Sequence, residues 1–405
     1  MAKLGLSAEK SLDERKVVSM AVLYQQFAPV LYGEGAVNEL PTEMKKLGAN
    51  TALCIYDKGV AACGIGPRIV GIIEDAGLKA YAVDDILPEP PDYQIDNIYN
   101  EYKDKGIDVI VGIGGGSCID TAKGVAFMFC YNPESVRPHV YIGPDSLWGK
   151  FPLIAIPTAS GTGSEVSPVA VITDTSCGFK GGVLTPATLA ILDPELTKTA
   201  PPFVTATSGM DAFSHAAEGM TSKTINPMSL TLGAAAVAAI VKYLPTATHE
   251  GSNMEARSAM SVAANFAGMA FSDAPVHLGH AMAETIGAVL HQPHGLCCAL
   301  CIAPCLEYVG EYCPGRIQPV ADAMGIDYSD IADDETAIGL RVGDAVRELL
   351  RACDVPSWAD RGISREQIMA LVHDVATNFH SLDCPTEITD EIAEKFTARS
   401  FDPYQ

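Results

Sequence analysis

Asp211 and His215 stand four residues apart in a segment that reads as helix, so both side chains leave one face with Cβ atoms about 5–6 Å apart. His280 follows on a second helix rich in small residues. His294 sits on a Pro293-His294-Gly295 turn that can swing its imidazole inward. One carboxylate oxygen and three imidazole nitrogens suit Fe²⁺ or Zn²⁺, and an open coordination position makes such a site catalytic rather than structural. Six of the nine histidines fall between His215 and His294, which argues against scatter. The four positions are nevertheless not a compact metal motif, and spacing by itself leaves ordinary core or surface histidines as the other reading.

Glycine suggests a second kind of chemistry. Val111-Gly112-Ile113-Gly114-Gly115-Gly116-Ser117, followed by Cys118-Ile119-Asp120-Thr121-Ala122-Lys123, reads as strand, turn and helix. Glycines admit a pyrophosphate close to the backbone, and the N–H groups at a helix N-terminus favour its charge. The run lacks the last glycine of the dinucleotide fingerprint and the Gly-Lys-Ser/Thr of a P-loop, so a tight turn without ligand is the alternative. Residues 157–167 then set Thr158, Ser160, Thr162, Ser164 and Ser167 among glycines directly after an apolar strand. Two such loops at neighbouring strand ends form a crevice for a nucleotide. Asp57, just past an earlier strand, would accept from an adenosine ribose and repel a 2′-phosphate, favouring NAD over NADP; the other reading is an ordinary turn aspartate.

The elements that must carry these groups change in kind along the chain. Residues 51–56, 79–83, 109–113, 153–156, 169–173 and 188–192 read as strands, alternating at first with helices at 66–76 and 93–105, the pattern of a doubly wound parallel sheet. Beyond Asp193-Pro194, Ala, Met, Glu and Leu dominate, and helices are expected at 229–244, 254–271, 274–290, 338–353 and 365–377. The chain therefore divides into a polar extension at 1–17, an α/β NAD-binding domain at 18–198 and an all-α metal-binding domain at 199–405. Of the 405 residues, 50 are Asp or Glu against 27 Lys or Arg, a net charge of −23 that disfavours nucleic acid and anionic lipid. No apolar run is expected to reach the ~18 residues of a membrane span, and the N-terminus lacks a secretory apolar block. The expectation is a soluble cytoplasmic protein whose twelve cysteines are reduced. Cys297, Cys298, Cys301 and Cys305 contain a C-x-x-C spacing but lie among Ala, Leu and Ile, and buried helix packing is preferred over a metal or cluster site.

Together these pieces resemble the iron-containing (group III) alcohol dehydrogenases. The resemblance is carried by Gly114 to Ser117 with Asp120 and Lys123, by 157–166, by Gly209-Met210-Asp211 with His215, and by Pro293-His294-Gly295, with Leu31-Tyr32-Gly33 and Gly35 as the opening motif. It runs from about Phe27 to the C-terminus. It implies a dehydroquinate-synthase-like fold with the active site between the domains, NAD(P) on the α/β domain, and a divalent metal, usually Fe²⁺, on the helical one. By position, Asp211, His215, His280 and His294 match the metal ligands, and Asp57, Gly115, Gly116, Ser117, Thr158, Thr162, Ser167 and Lys180 match cofactor contacts. The resemblance also implies a small alcohol or aldehyde substrate and a homodimer or larger homo-oligomer.

Three departures stand out. Glu284 occupies the place where the family commonly has a second histidine facing the substrate. A Phe-Ser-Asn-x-Gly stretch reads Phe271-Ser272-Asp273-Ala274-Pro275, with His277 where glycine is frequent, and an Asn-Pro pair reads Glu89-Pro90. The expected reaction is hydride transfer between NAD(H) and an alcohol–aldehyde pair, with the metal acting on the substrate oxygen. His277 or Glu284 is the candidate proton carrier, unless Glu284 only lines the wall or supports His280. An ionised Glu284 would disfavour acidic substrates and tolerate neutral polyols or amino alcohols. The rival readings are a metal-independent reductase or lyase on the same scaffold, and a non-catalytic iron- or nucleotide-binding redox sensor.

Overall fold

The structure, a computed structural model, describes residues 23–143, 145–401 and 404; the expected extension at 1–17 lies outside them. Among the described residues eight strands are formed: β1 (Val30–Tyr32), β2 (Thr51–Ile55), β3 (Lys79–Val83), β4 (Val109–Gly114), β5 (Leu153–Pro157), β6 (Val169–Asp174), β7 (Phe179–Leu184) and β8 (Leu189–Leu192). Six of them make one sheet in the order β1-β8-β5-β4-β2-β3, and every pairing in it is parallel. Helices cover both faces, which is why β4 and β5 are unbroken apolar runs with every residue buried. Each Val, Ile or Leu so placed contributes about 1.5–3 kcal/mol. The helices of this half are α1 (Leu40–Lys46), α2 (Lys58–Ala62), α3 (Ile65–Asp75), α4 (Asp92–Tyr102) and α5 (Gly116–Tyr131).

From β2 the chain steps outward to β3 and then returns to place β4 on the opposite side of β2. The strand order reverses there, at the carboxyl ends of β2 and β4, which is where open α/β sheets take ligands in a crevice. Strands β6 and β7 form a separate antiparallel hairpin, with Val169 opposite Leu184. β1 and β7 were not expected as strands: β1 has three residues, and β7 carries Gly181-Gly182, which hides its period.

The second half is built from α6 (Pro202–Thr221), α7 (Pro227–His249), α8 (Met254–Phe271), α9 (Leu278–Leu290), α10 (His294–Tyr312), α11 (Gln318–Met324), α12 (Glu335–Ala352) and shorter pieces. Asn226 caps α7 and Asn253 caps α8, each accepting from first-turn N–H groups. Helix α9 begins four residues later than expected, because Pro275 and the non-helical backbone of His277 (φ −141°, ψ −122°) delay it. The expected helix at 365–377 is two, Arg365–Met369 and Val372–Thr377. Helix α6 is buried on nearly all sides, packed by α7, α8 and α10. Contrary to expectation, α7 and α10 are long and apolar enough to cross a membrane by length and composition; α7 packs on α6 and α8, and α10 is a buried core helix. All twelve cysteines are free thiols.

The two halves meet through backbone. Gly163 has φ +62°, and a Cβ there would fall 2.4 Å from the Cα of Gly268 on α8. Only glycine at both positions lets the loop after β5 lie against the helix. Nearby, Ser160 Oγ is 3.3 Å from Ser261 Oγ, also on α8.

Candidate metal centre and nucleotide crevice

Three helices bring four distant groups together. Asp211 and His215 project from the middle of α6, His280 from the first turn of α9, and His294 opens α10. The Oδ1 of Asp211 lies 3.8 Å from His215 Nε2, 3.8 Å from His280 Nε2 and 3.6 Å from His294 Nε2. Asp211, His215 and His280 are buried, whereas His294 keeps 37% of its side chain exposed and marks the open side. His215 is held between the rings of Phe271 (4.4 Å) and His280 (4.7 Å).

A buried carboxylate oxygen facing three ring nitrogens should be hydrogen-bonded. Asp211 Oδ1 has no such partner, and neither has His215 Nδ1. Two donors on one tetrahedral cation at about 2.1 Å stand about 3.4 Å apart, close to the separations found. An orphaned carboxylate oxygen at that spacing from three ring nitrogens fits a divalent cation, and the oxygen–nitrogen donor set fits iron or zinc.

Electrostatics prepares the same atoms. Burial opposes charge on Asp211, but the rings of His215, His294 and His280 outweigh it and hold the carboxyl below its usual range. Burial pushes His215 down to about 4 and also lowers His294. Glu218, one face further along α6, accepts from His280 Nδ1 at 2.6 Å, which fixes the ring with Nε2 turned to Asp211. Burial works against the charge on His280, but Glu218 and Asp211 raise it to about 9.

Of the two candidate proton carriers, His277 is fully buried, with Nε2 2.9 Å from Thr221 Oγ1 and Nδ1 3.7 Å from Cys305 Sγ. Both ring nitrogens are thus engaged inside the core, and the ring faces no open space; its backbone N–H donates to Glu218. Glu284 instead meets His380, whose Nε2 is 3.3 Å from Glu284 Oε1, with the His380 ring 6.1 Å from that of His280. Burial disfavours its charge, yet His380, His294 and His280 pull Glu284 down to about 2. His380 carries no spacing signal in the sequence, because it comes from the remote short helix Phe379–Asp383. Glu218 does carry one, being seven residues after Asp211 on one face. His291 is exposed at the end of α9 and takes no part.

At the crevice, Gly115 begins α5 without a side-chain cap, leaving the helix N-terminus bare beside Gly116 and Ser117. A Cβ on Gly115 would meet nothing within 4 Å, whereas one on Gly116 would fall 2.9 Å from Thr162 Cγ2. Gly114 has φ +144°, a turn that a side chain would resist. Thr158 N–H donates to Gly114 O (3.0 Å), so the two expected loops are joined edge to edge. This open, uncapped cradle fits a pyrophosphate.

Asp57 lies on the β2 side of the crevice; its Oδ1 caps α2 by accepting from Val60 N–H at 2.8 Å, and its Oδ2 accepts from the Cys118 thiol at 3.5 Å, so it is a capping aspartate. Asp120 and Ser167, also expected at the cofactor, have partners within the protein. Both are buried: Asp120 accepts from Ser164 Oγ and Val171 N–H, and Ser167 accepts from the buried Lys123 Nζ (2.9 Å to its carbonyl), so they tie the second loop to the hairpin. Lys180 pairs with Glu89 at 2.6 Å and is near enough to His294 to lower that ring further, which links the crevice to the histidine cluster.

A family model described as iron-containing alcohol dehydrogenase matches residues 28–194, and one described as the C-terminal part of that family matches 205–399. The chain is 30% identical to a choline dehydrogenase of Bacillus subtilis, over 95% of this chain and 97% of that one. It is 32% identical to the NAD-dependent methanol dehydrogenase of Bacillus methanolicus, over 84% and 89%. The crystal structure of sulfoacetaldehyde reductase from Bifidobacterium kashiwanohense with NAD⁺ superimposes with a TM-score of 0.84 at 28% identity, covering 94% of this chain and 98% of that one.

Proposed function

The chain belongs to the iron-containing alcohol dehydrogenase family, and from that membership we propose the residues that do its work and the substrates it prefers. It is an NAD- and iron-dependent oxidoreductase acting on CH–OH groups, interconverting a small alcohol and its aldehyde. The observation that carries the assignment of residues is the orphaned Asp211 Oδ1 with three imidazole Nε2 atoms at 3.6–3.8 Å. Metal-independent reductase or lyase chemistry, and a silent redox sensor, find no support among the relatives.

Asp211, His215, His280 and His294 hold the cation, and Glu218 fixes His280. Gly114, Gly115, Gly116 and Ser117 receive the pyrophosphate, Thr158, Ser160, Thr162 and Lys180 line the crevice, and Asp57 turns to the ribose the Oδ2 that otherwise meets only the Cys118 thiol. Asp120 and Ser167 act at one remove, holding the second loop in place. When bound, the cation polarises the substrate oxygen and NAD exchanges the hydride. Phe271 and the buried helix walls keep water out, and the junction of the loop after β5 with α8 sets one half against the other. Glu284, held ionised, orients His380 through Nε2 at 3.3 Å beside the His280 ring.

The relatives named for choline, methanol and sulfoacetaldehyde span a cation, a neutral molecule and an anion, so substrate charge must be decided by this chain's own side chains. Glu284 favours neutral or positively charged alcohols and repels carboxylates and sulfonates. The division of labour follows the chain, with NAD on 18–198 and the cation on 199–405. A cytoplasmic homodimer or larger assembly, with no nucleic-acid or membrane partner, completes the proposal.

The test is anaerobic purification, metal analysis, and a panel of alcohols and aldehydes with NAD(H). Chelation is expected to abolish turnover and Fe²⁺ or Zn²⁺ to restore it; full activity after chelation would refute the metal assignment, and best turnover on an anionic aldehyde would refute the charge preference.

A further inference from the structure

Helix α10 carries Cys298 one turn beyond His294, so both side chains leave the same face. Cys298 Sγ lies 3.5 Å from His294 Nε2 and 3.7 Å from His280 Nε2, and the residue is 1% exposed. A nitrogen at about 2.1 Å and a sulfur at about 2.3 Å on one cation are separated by about 3.1 Å at a right angle and about 3.6 Å at the tetrahedral angle, so a five-donor site would draw these atoms slightly closer. Asp211, His280, His294 and Cys298 offer donor atoms that all lie within 4.8 Å of one another. His215 reaches this quartet through Asp211 Oδ1, itself buried and unpartnered. The other thiols of α10 behave differently: Cys297 Sγ points to Gln292 O and Cys305 Sγ to His277.

We propose that Cys298 Sγ is a further ligand of the catalytic cation, giving the site a sulfur donor that favours zinc and cobalt over iron(II) more than an all oxygen–nitrogen site would. This rests on the Asp211, His215, His280 and His294 assignment made above. As the sulfur–metal bond forms, the thiol proton is released to solvent and no electron is transferred. Soft thiolate donors select zinc-like ions where imidazole and carboxylate discriminate less.

The experiment loads the metal-free full-length protein with Co²⁺ and records its absorption. The expected result is a visible ligand-field band together with an intense near-ultraviolet sulfur-to-cobalt charge-transfer band. In Cys298→Ser the ligand-field band stays and the charge-transfer band is lost, while Cys297→Ser keeps both. In competition, the preference for Zn²⁺ over Fe²⁺ falls at least about tenfold in Cys298→Ser. A ligand-field band without charge transfer in the unaltered protein overturns the proposal and leaves the four-residue site standing. Charge transfer that survives in Cys298→Ser overturns it as well. Absence of any bound cobalt refutes the four-residue site and the proposal together. The spectrum of the unaltered protein is decisive even where the variant folds poorly.

Discussion

Two clusters of carboxylate, histidine and cysteine lie side by side among the helices, one open at His294 and one sealed, and they differ above all in hydrogen bonding. In the first, Asp211, His280, His294 and Cys298, the carboxylate oxygen that faces the rings accepts no hydrogen bond. In the second, Glu218, His277 and Cys305, every hydrogen-bonding demand is met: Glu218 accepts from His280 Nδ1 and from the His277 N–H, and His277 Nε2 meets Thr221. The residue types are nearly the same, so type does not separate a ligand site from a packing network. Hydrogen-bond satisfaction does, because a buried polar atom left unpaired costs about 1–3 kcal/mol and persists only where something else compensates. The two clusters share a wall, since Glu218 belongs to the satisfied one and steers a ring of the unsatisfied one.

The contrast breaks most visibly at Asp211. Asp211→Asn is expected to lower kcat/KM by more than about a hundredfold and to empty the site of metal, read by steady-state kinetics and elemental analysis. A variant that keeps its metal would place the cation elsewhere.

Glu218→Gln tests the shared wall. Metal affinity is expected to fall about 10–100-fold, measured by chelator competition, because His280 loses its orienting carboxylate. The same carboxylate also sets acid stability. Burial opposes its ionisation, but the charges and hydrogen bonds of His280 and His277 outweigh that and hold its pKa in the fold at about 2 against an ordinary 4.5. A depressed pKa means that its stabilisation is complete above pH 4.5 and is lost as the pH falls toward 2, on the order of 3 kcal/mol in all. Acid unfolding of the metal-free protein, followed by circular dichroism, should show that loss, and Glu218→Gln should flatten it.

Glu284→Gln sharpens the comparison from the substrate side. The ratio of kcat/KM for a cationic alcohol to that for an anionic one should drop about tenfold, a difference of about 1.4 kcal/mol in recognition. An unchanged ratio would reduce Glu284 to a support for His380.

The smallest effect belongs to the satisfied cluster. Cys305→Ala should lower stability by about 1–2 kcal/mol in thermal or denaturant unfolding while metal content and turnover stay as they were. Metal loss on that substitution would erase the distinction between the clusters.

Where the sequence was legible, chemistry and periodicity coincided. The buried parallel strands at 109–114 and 153–157 announce themselves as unbroken apolar runs, and the glycine and hydroxyl loops that follow them lie where strand ends must turn. Asp211 and His215 share a helix, so their pairing follows from the 3.6-residue repeat alone. β7 was hidden by its glycines, and the start of α9 by Pro275 within an otherwise helical stretch.

Other facts depend on helices meeting in space. Sequence could name His277 and Glu284 as candidate proton carriers but could not tell that one is sealed against Thr221 and Cys305 while the other faces His380, ninety-six residues away. It could class Cys297, Cys298, Cys301 and Cys305 as core thiols on one apolar helix, yet it could not single out Cys298, whose direction is set by where α10 crosses α6 and α9. That the oxygens of Asp120 and Ser167 also take donors from Ser164, Val171 and Lys123 follows only from how the hairpin packs. Local order along a chain determines which groups share a face; which faces converge, and which polar atoms are left without partners, is decided only when the elements pack.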